Sequence, residues 1–143
     1  HGKNLETFVN ESPRKLTCIL CKRMMYRIAE RIAETEKAEG IITGESIGEQ
    51  ASQTLHNLRV LSEAATKYPV HRPLLGFNKL ETESLAKKIG TFEISTRKTE
   101  GCSAVPKRPA TKARLEIVKE AEEELDIEGM VEESVREARI VVV

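Results

Sequence analysis

Residues 40–58, GIITGESIGEQASQTLHNL, decide the fold class that this sequence predicts. The apolar run of residues 40–44 is short and bounded by glycines, which is typical of a buried parallel strand. Residues 48–65 then predict a helix. A strand that leads directly into a helix is typical of α/β folds, and it presents backbone amides where open α/β sheets bind ligands. The helix residues expected to face inward are Leu55, Leu58, Val60 and Leu61.

The sequence before this stretch predicts one long helix. Thr17 is placed to cap it, and the helix is expected to end near Gly40. Residues 1–15 form an N-terminal lead-in, which we interpret as a loop or a short helix broken at Pro13. Apolar residues recur at helical spacing along the long helix. The residues expected to face the core are Met24, Met25, Ile28, Ala29, Ile32 and Ala33.

The sequence after residue 65 repeats the alternation of strand and helix. Residues 70–75 predict a second strand, Asn78 can cap a helix that stops at Gly90, and one or two amphipathic helices follow Thr111. Together these elements predict a parallel α/β layer with flanking helices. Two strands are too few for a free-standing parallel sheet, so we expect an upstream half or another subunit to complete it.

Composition narrows the classes of function. The 143 residues are 39% hydrophobic, which is enough for a core, and no run approaches the roughly 18 apolar residues of a membrane span. Lys plus Arg and Asp plus Glu both total 23, so the formal net charge of zero excludes a generally polycationic nucleic-acid coat. Three cysteines do not make a disulfide framework. The composition predicts a cytoplasmic protein with no membrane partner.

Three cysteines form the first candidate site. Cys18 and Cys21 lie one helical turn apart at a helix start, where the helix dipole with Lys22 and Arg23 would favour thiolates. Cys102 lies in a downstream loop, and three thiolates would leave one open position on a metal or an iron–sulfur cluster. The alternative is a pair of small buried hydrophobes at a helix start. A fourth ligand could come from His56 or His71.

The turn after the first strand forms the second candidate site. Gly44 would let a nucleotide approach the backbone closely, although a plain strand-to-helix turn explains the same residues. Arg72 and Lys79 flank the end of the second strand and could face a phosphate there. On spacing alone, a nucleotide site and a plain turn at Gly44 are equally favoured, and the two bases alone are a weak signal because surface bases near strand ends are common.

Four segments carry a resemblance to a known family. CILCKRMMYRIAERIAE begins at Cys18, IITGESIGEQASQTLHNLRVLSEA at Ile41 and VHRPLLGFNKLETESLAKKIGTFEIS at Val70, and PKRPAT follows the Cys102 loop. In order and spacing, over residues 16–139, they resemble the C-terminal half of the ATP-dependent domain of tRNA 4-thiouridine synthetases. These enzymes are PP-loop ATP pyrophosphatases. The resemblance implies part of a Rossmann-like, three-layer α/β sandwich of the adenine nucleotide alpha hydrolase type.

The resemblance also implies an activity and its residues. Such a tRNA sulfurtransferase uses ATP with Mg to adenylate a tRNA uridine, then replaces AMP with sulfur to give 4-thiouridine, and bacterial members also supply sulfur for the thiazole of thiamine. ATP binding falls on Lys22, Gly44 and Gln53, and Lys22 stands where the family usually has arginine. Lys79 and Cys102 fall on catalytic positions. Members without a rhodanese domain are thought to hold an iron–sulfur cluster, with implied ligands Cys18, Cys21 and Cys102.

The resemblance further implies partners and a division of the domain. The partners are tRNA and either a sulfur donor protein or sulfide. Residues 16–143 contain no S-G-G-x-D-S phosphate loop and no ferredoxin-like or THUMP region, so we interpret them as the C-terminal half of the PP-loop domain. The chain, by gene splitting or truncation, is then expected to be inactive alone and to need a partner carrying the PP-loop and THUMP portion.

Two alternatives stay open at the level of sequence. The first is a non-enzymatic metal or iron–sulfur module, which pairs with itself as a homodimer or with a separate ATP-binding subunit. The second is a related tRNA thiolase that acts on a different base position, because the same chemistry would need the same residues.

Overall fold

The computed structural model describes residues 2–99, 101–139 and 141, in which helices and two short strands alternate. Two 3-10 turns, Arg14–Leu16 and Ala51–Gln53, precede the second and third helices. The helices are α1 (Gly2–Glu11), α2 (Thr17–Glu36), α3 (Leu55–Ser62), α4 (Lys79–Lys88), α5 (Phe92–Ser95), α6 (Leu115–Glu123) and α7 (Ile127–Arg136), and the strands are β1 (Ile41–Ile42) and β2 (Val70–His71).

The strands pair in parallel, as the sequence predicts. Ile41 lies opposite Val70 and Ile42 opposite His71. The second strand is shorter than the predicted residues 70–75, because Pro73 has no N–H to donate and the chain turns there, with the Leu75 N–H bonded to the Arg72 carbonyl. Ile42 is 75% exposed, so the prediction of a fully buried first strand is wrong at this residue.

Helix α2 is the centre of the core, because α1, α3, α6 and α7 all pack against it. Phe8, Met24, Leu61, Val118 and Val131, one from each of these five helices, are almost wholly removed from solvent. Burying one such side chain contributes about 1.5–3 kcal/mol. The lead-in helix α1 therefore belongs to the same core as the rest of the chain.

The predicted inward face of α2 is partly wrong. Met24 and Ala33 are buried, but Met25 is 52% and Ile32 is 42% exposed. The buried face instead includes Arg23, which pairs with Glu122, and Glu30, whose carboxylate accepts the backbone N–H groups of Lys67 and Tyr68. Apolar periodicity cannot count a buried charged residue as inward, so it shifts the predicted face around the helix.

The predicted helix starts have mixed outcomes. Asn78 caps α4 through a capping box with Glu81, as predicted. Thr17 does not cap α2, because it is the first helical residue and its hydroxyl donates to the Arg14 carbonyl. The predicted start of α3 is also too early, since Thr54 is its cap.

The region before α3 also differs from the expected continuous helix. Gly48 has a positive φ of 83°, which breaks the helix and favours glycine. Leu55, predicted to face inward, is 67% exposed, whereas Leu58, Val60 and Leu61 are buried as predicted. Among the described residues, no helix has both the length and the apolar character needed to cross a membrane.

Candidate nucleotide and thiol site

Glu45 is the centre of a buried ion cluster just after β1. Its carboxylate accepts hydrogen bonds from the Tyr26 hydroxyl, from Arg72 Nε at 2.8 Å and from Lys22 Nζ at 3.2 Å. Thr43 Oγ1 adds a longer bond of 3.3 Å. Lys22 and Tyr26 come from α2 and Arg72 from the end of β2, so the cluster ties the glycine turn to both neighbouring elements. We call these five residues the Glu45 cluster.

The guanidinium of Arg72 uses its hydrogen bonds within and beside the Glu45 cluster. Its Nη2 donates to the Tyr26 hydroxyl at 3.1 Å and to Ser62 Oγ at 3.0 Å, and its guanidinium lies 5.8 Å from the Tyr26 ring centroid. The expectation that Arg72 faces a phosphate therefore has little support. Its role in the described structure is to fix Glu45 and Tyr26.

The protonation states of the cluster follow from these contacts. Burial alone would raise the pKa of Glu45, but the hydrogen bonds from Tyr26 and Arg72 and the nearby Lys22 outweigh burial and hold that pKa below its ordinary value. Burial and the bond to Glu45 raise the pKa of Tyr26 to about 12. At neutral pH, Glu45 is therefore an ionised acceptor and Tyr26 a neutral donor.

The glycine turn at residues 43–48 is held by backbone bonds on both sides. The Thr43 N–H donates to the His71 carbonyl at 2.9 Å, and the Ile47 N–H donates to the Leu75 carbonyl at 3.1 Å. Apart from Gly44 and its two chain neighbours, no residue has an atom within 4 Å of where a Cβ would stand at Gly44, so the space beside this backbone is open. The backbone of this turn is therefore exposed to solvent at Gly44.

Gln53 lies at the other end of the same segment. Its side chain is buried, and its carbonyl accepts the Gly48 N–H at 3.1 Å. The 3-10 turn Ala51–Gln53 therefore closes the loop that begins at Gly44. The structure thus joins Lys22 to the Gly44 turn through Glu45, and joins Gln53 to that turn through Gly48.

The three thiols share one neighbourhood. Burial, with smaller contributions from Cys102 and Cys18, raises the pKa of Cys21 to about 11. Burial and Cys102 also raise the pKa of Cys18, although Lys22 and Arg14 oppose this. The expectation of stabilised thiolates at Cys18 and Cys21 is therefore wrong in direction, because burial outweighs the nearby charges. Arg23, expected to help, points its guanidinium into the core instead.

A metal site is not assembled in the described residues. No three His, Cys, Asp or Glu side chains within residues 2–99 and 101–139 are grouped so that they could hold a metal ion. A ligand set of Cys18, Cys21 and Cys102 would need the exposed Cys102 loop to close further onto α2. His71 lies in β2 and packs its ring against Gly40.

Lys79 follows a segment that contacts the glycine turn, because Ser46 Oγ donates to the carbonyl of Phe77, two residues before Lys79. It is the first residue of α4, and its Nζ is 3.9 Å from Glu83 Oε1 on the exposed surface of that helix. Within the described part of the chain, no hydrogen bond or ion pair joins Lys79 to the Glu45 cluster. The structure therefore links Lys22 and Gln53 to the Gly44 turn by hydrogen bonds and brings the three thiols together separately. It also places the segment before Lys79 beside that turn, without a bond from Lys79 itself.

Sequence reasoning missed a second buried ion cluster. Glu122 of α6 accepts two bonds from Arg23, both at 2.8 Å, and two from Arg27, at 2.6 and 2.8 Å. Burial would raise the pKa of Glu122, but the bonds from Arg23 and Arg27 outweigh it and lower that pKa. The signal for this cluster was the spacing of Arg23, Arg27 and Arg31, which lie four residues apart on one helix face.

Asn57 is a second residue that the sequence did not single out. It is fully buried on α3, and its amide donates to the carbonyls of Ala51 and Ala110 at 2.9 and 2.8 Å. Its Oδ1 accepts the Ala113 N–H at 2.9 Å. One side chain thus fastens the loop that follows Cys102 to the segment that contains Gln53.

A parallel strand that ends in an open glycine turn and leads towards a helix is the ligand-binding edge of a Rossmann-like α/β protein. The chain belongs to the family described as Thiamine biosynthesis protein (ThiI), whose model matches residues 1–127. A probable tRNA sulfurtransferase of Methanosarcina mazei is 47% identical over 141 residues, which are 98% of this chain and 34% of that protein. Another, from Methanocaldococcus jannaschii, is 47% identical over 131 residues, 89% of this chain and 34% of that protein.

A solved structure is also similar. It is described as a 4-thiouridine synthetase in complex with RNA and with bound ATP, and it is 39% identical to this chain with a TM-score of 0.89. The match covers 96% of this chain and 36% of that chain, so this chain spans about a third of the length of the proteins that it resembles. The likeness confirms the predicted fold class, part of a Rossmann-like α/β layer.

Proposed function

We propose that this chain forms part of an ATP-dependent tRNA sulfurtransferase that makes 4-thiouridine. The observation that carries the proposal is the match of nearly the whole chain, at a TM-score of 0.89, to a 4-thiouridine synthetase described with RNA and ATP. In this reaction a uridine carbonyl oxygen attacks the α-phosphorus of ATP, and pyrophosphate leaves. A sulfur nucleophile then attacks the uridine carbon that carries this oxygen. The C–O bond breaks, and AMP leaves with the oxygen.

The open turn at Gly44 is proposed as the place where the nucleotide meets this part of the enzyme. Lys22 supplies a positive charge at its edge, because its side chain is 22% exposed while Glu45 holds its ammonium at 3.2 Å. Gln53 holds the end of this loop, because its carbonyl accepts the Gly48 N–H. Mg bound to ATP would neutralise phosphate charge, and Lys22 would share that task on the protein side. Lys79 is proposed as the catalytic cation on the other side of the turn, because it is exposed at the start of α4, two residues after the Phe77 carbonyl that binds Ser46.

The thiols are proposed to handle sulfur. Cys102 is exposed on its loop, so it can meet a sulfur donor protein or sulfide, whereas Cys21 is partly buried with a pKa near 11. An exposed thiol that forms a thiolate is the nucleophile in sulfur exchange. The same three cysteines are the proposed ligands of an iron–sulfur cluster, and that proposal depends on closure of the Cys102 loop.

The sheet is proposed to continue beyond β1 and β2. Ile42, on β1, is an apolar residue that is 75% exposed, and an apolar side chain at that position is typical of a face that another layer covers. The proposed cover is the PP-loop portion of the enzyme, on the same polypeptide or on a partner subunit. Because tRNA is the proposed substrate, the cytoplasm is the proposed location.

The test is thiolation of tRNA by this chain combined with the portion that carries the phosphate loop. We expect 4-thiouridine to be detected by mass spectrometry of digested tRNA, to depend on ATP, and to be lost in Cys102→Ser. The matched control is Ser103→Ala, the exposed neighbour, which should keep the activity. ATP-dependent sulfur incorporation at a different base would favour the related thiolase, and no incorporation at all would refute the proposal.

A second measurement separates the enzyme from a metal-binding module. Iron, zinc and acid-labile sulfide are measured in anaerobically purified chain beside Cys102→Ser. Iron and acid-labile sulfide contents that are both lower in Cys102→Ser than in the unaltered chain would support a cluster bound by Cys18, Cys21 and Cys102. Reduced thiols without metal in both samples would reject the module and leave the route through a Cys102 persulfide.

A further inference from the structure

A basic groove runs between the 3-10 turn Arg14–Leu16 and the loop of residues 108–114. Its lining combines apolar residues, among them Leu16 and Ile117, with four long cationic side chains. We call it the basic groove and define it by Lys15, Arg108, Lys112 and Arg114. All four residues are exposed.

The cations of the basic groove are not neutralised within the described structure. Many other cations of the chain do have carboxylate partners, among them Lys3, Lys22 and Arg72. No ion pair among the described residues involves a member of the groove, and residues 101–115 contain no Asp or Glu. A protein with zero net charge therefore concentrates unpaired positive charge along one groove, which favours a partner with regularly spaced negative charge.

The walls of the groove are held at a fixed separation. The Ala110 N–H donates to the Lys15 carbonyl at 2.9 Å, which joins one wall to the other. Asn57 binds the loop at Ala110 and Ala113, and Thr54 Oγ1 donates to the Thr111 carbonyl at 2.7 Å. These contacts order the backbone before any ligand arrives, so binding does not have to order the loop.

The groove also lies next to the thiols. Arg14, the neighbour of Lys15, lines a cavity together with Ser103, the residue after Cys102. The loop of residues 108–114 follows Cys102 within a few residues. A chain of phosphates lying in the groove would therefore pass beside the proposed sulfur-handling residues.

We propose that the basic groove binds the phosphate backbone of the RNA substrate and guides it towards the thiols. This inference rests on the proposed function and adds the RNA-binding surface within this chain. Lysine and arginine bind phosphate oxygens, and arginine does so with two parallel hydrogen bonds. A row of four cations matches the repeating charge of a nucleic-acid backbone better than it matches an isolated anion.

The test compares two triple variants of this chain that lose the same charge. The groove variant is Lys15→Gln, Arg108→Gln and Lys112→Gln. The matched control is Lys88→Gln, Lys98→Gln and Lys119→Gln, three exposed lysines outside the groove. Binding of fluorescently labelled tRNA is measured by anisotropy over a range of salt concentrations. All six side chains are exposed, so thermal unfolding should be nearly unchanged in both variants.

We expect the groove variant to bind tRNA at least about tenfold more weakly at low salt. We also expect its slope of log affinity against log salt to fall by about two, since each phosphate contact contributes about 0.7–0.9. The control should lose less than about twofold and keep its slope. Equal losses in the two variants would show that only net charge matters and would overturn the assignment. So would undetectable binding of the unaltered chain at low salt.

Competition identifies the partner. Labelled tRNA is displaced with unlabelled RNA and, separately, with poly-glutamate. Equal displacement by the two competitors would point to an acidic protein partner and overturn the assignment to RNA.

The outcomes also separate the two proposals. If the groove variant binds tRNA normally while thiolation proceeds, the groove assignment alone fails. If the groove binds tRNA but no thiolation occurs, the proposed function alone fails.

Discussion

Two buried carboxylates, Glu122 and Glu45, are both bound by cations from α2, yet they differ in what surrounds them. Glu122 is enclosed by Arg23 and Arg27, which together make four hydrogen bonds to its two oxygens. Glu45 is bound by Tyr26, Arg72 and Lys22, and its site opens at Gly44. Both carboxylates have a pKa held below its ordinary value.

The difference shows that burial and a shifted pKa do not by themselves mark a functional site. Around Glu122, Arg23 also donates to the Val60 carbonyl, so the cluster joins α2, α3 and α6 and fixes the core. Around Glu45, a lysine that is partly exposed stands beside an open backbone turn. Arg27 and Lys22 have the same exposed fraction, 22%, so the open backbone at Gly44 is the feature that separates the Glu45 cluster from the Glu122 cluster.

The largest expected effect is the loss of Glu122. Glu122→Gln leaves two guanidiniums in or near the core without a countercharge, which we expect to lower the free energy of unfolding by about 3–5 kcal/mol. Urea unfolding measures the change. The control is Glu120→Gln, an exposed residue of the same helix, for which a change within about 0.5 kcal/mol is expected. Similar stability of the two variants would show that the Glu122 cluster does not hold the core.

A smaller effect is expected from the loss of Lys22. In the enzyme combined with its phosphate-loop portion, Lys22→Met should weaken ATP binding by about tenfold or more, because a charged hydrogen bond contributes about 1.5–3 kcal/mol. Isothermal titration calorimetry measures the affinity. Lys67→Met is the control, since Lys67 also pairs with a glutamate at 3.2 Å but lies on the exposed surface. Unchanged ATP affinity in Lys22→Met would contradict the proposed place of this residue at the nucleotide.

The smallest expected effect is a change in the pH dependence of stability. The pKa of Glu45 is lower in the folded state than its ordinary value of 4.5, so the unfolded chain binds more protons in acid. The stability that Glu45 contributes is present above about pH 4.5 and is lost as the pH falls through the folded pKa. Urea unfolding between pH 3 and pH 7 should show a shallower acid loss in Glu45→Gln than in the unaltered chain.

The control for this pH measurement is Glu49→Gln, an exposed residue near the same turn. Glu49→Gln should lose as much stability in acid as the unaltered chain does, because the Glu49 side chain accepts none of the hydrogen bonds of the Glu45 cluster. An equal reduction in the two variants would show that the slope reports general charge and not the ion cluster.

Several elements could be predicted because their causes are local. The strand at Ile41, the open turn at Gly44 and the cap at Asn78 each depend on residues within a few positions of one another. The parallel pairing with β2 followed from the order of strand, helix and strand, since that connection favours parallel strands. The start of α3 failed, because the positive φ at Gly48 and the cap at Thr54 both compete with a continuous helix.

The sequence by itself determined the family resemblance, the order of strands and helices and the residues of the glycine turn. Only the tertiary structure decided which charges meet. Arg23 and Glu122 are 99 residues apart, and their pairing depends on how α6 packs against α2. Burial likewise decided the direction of the pKa shifts of Cys18 and Cys21, because it outweighs the nearby charges. No local sequence pattern shows how deeply a thiol is buried. Desolvation is a property of the assembled core, so its effects appear only when the chain has folded.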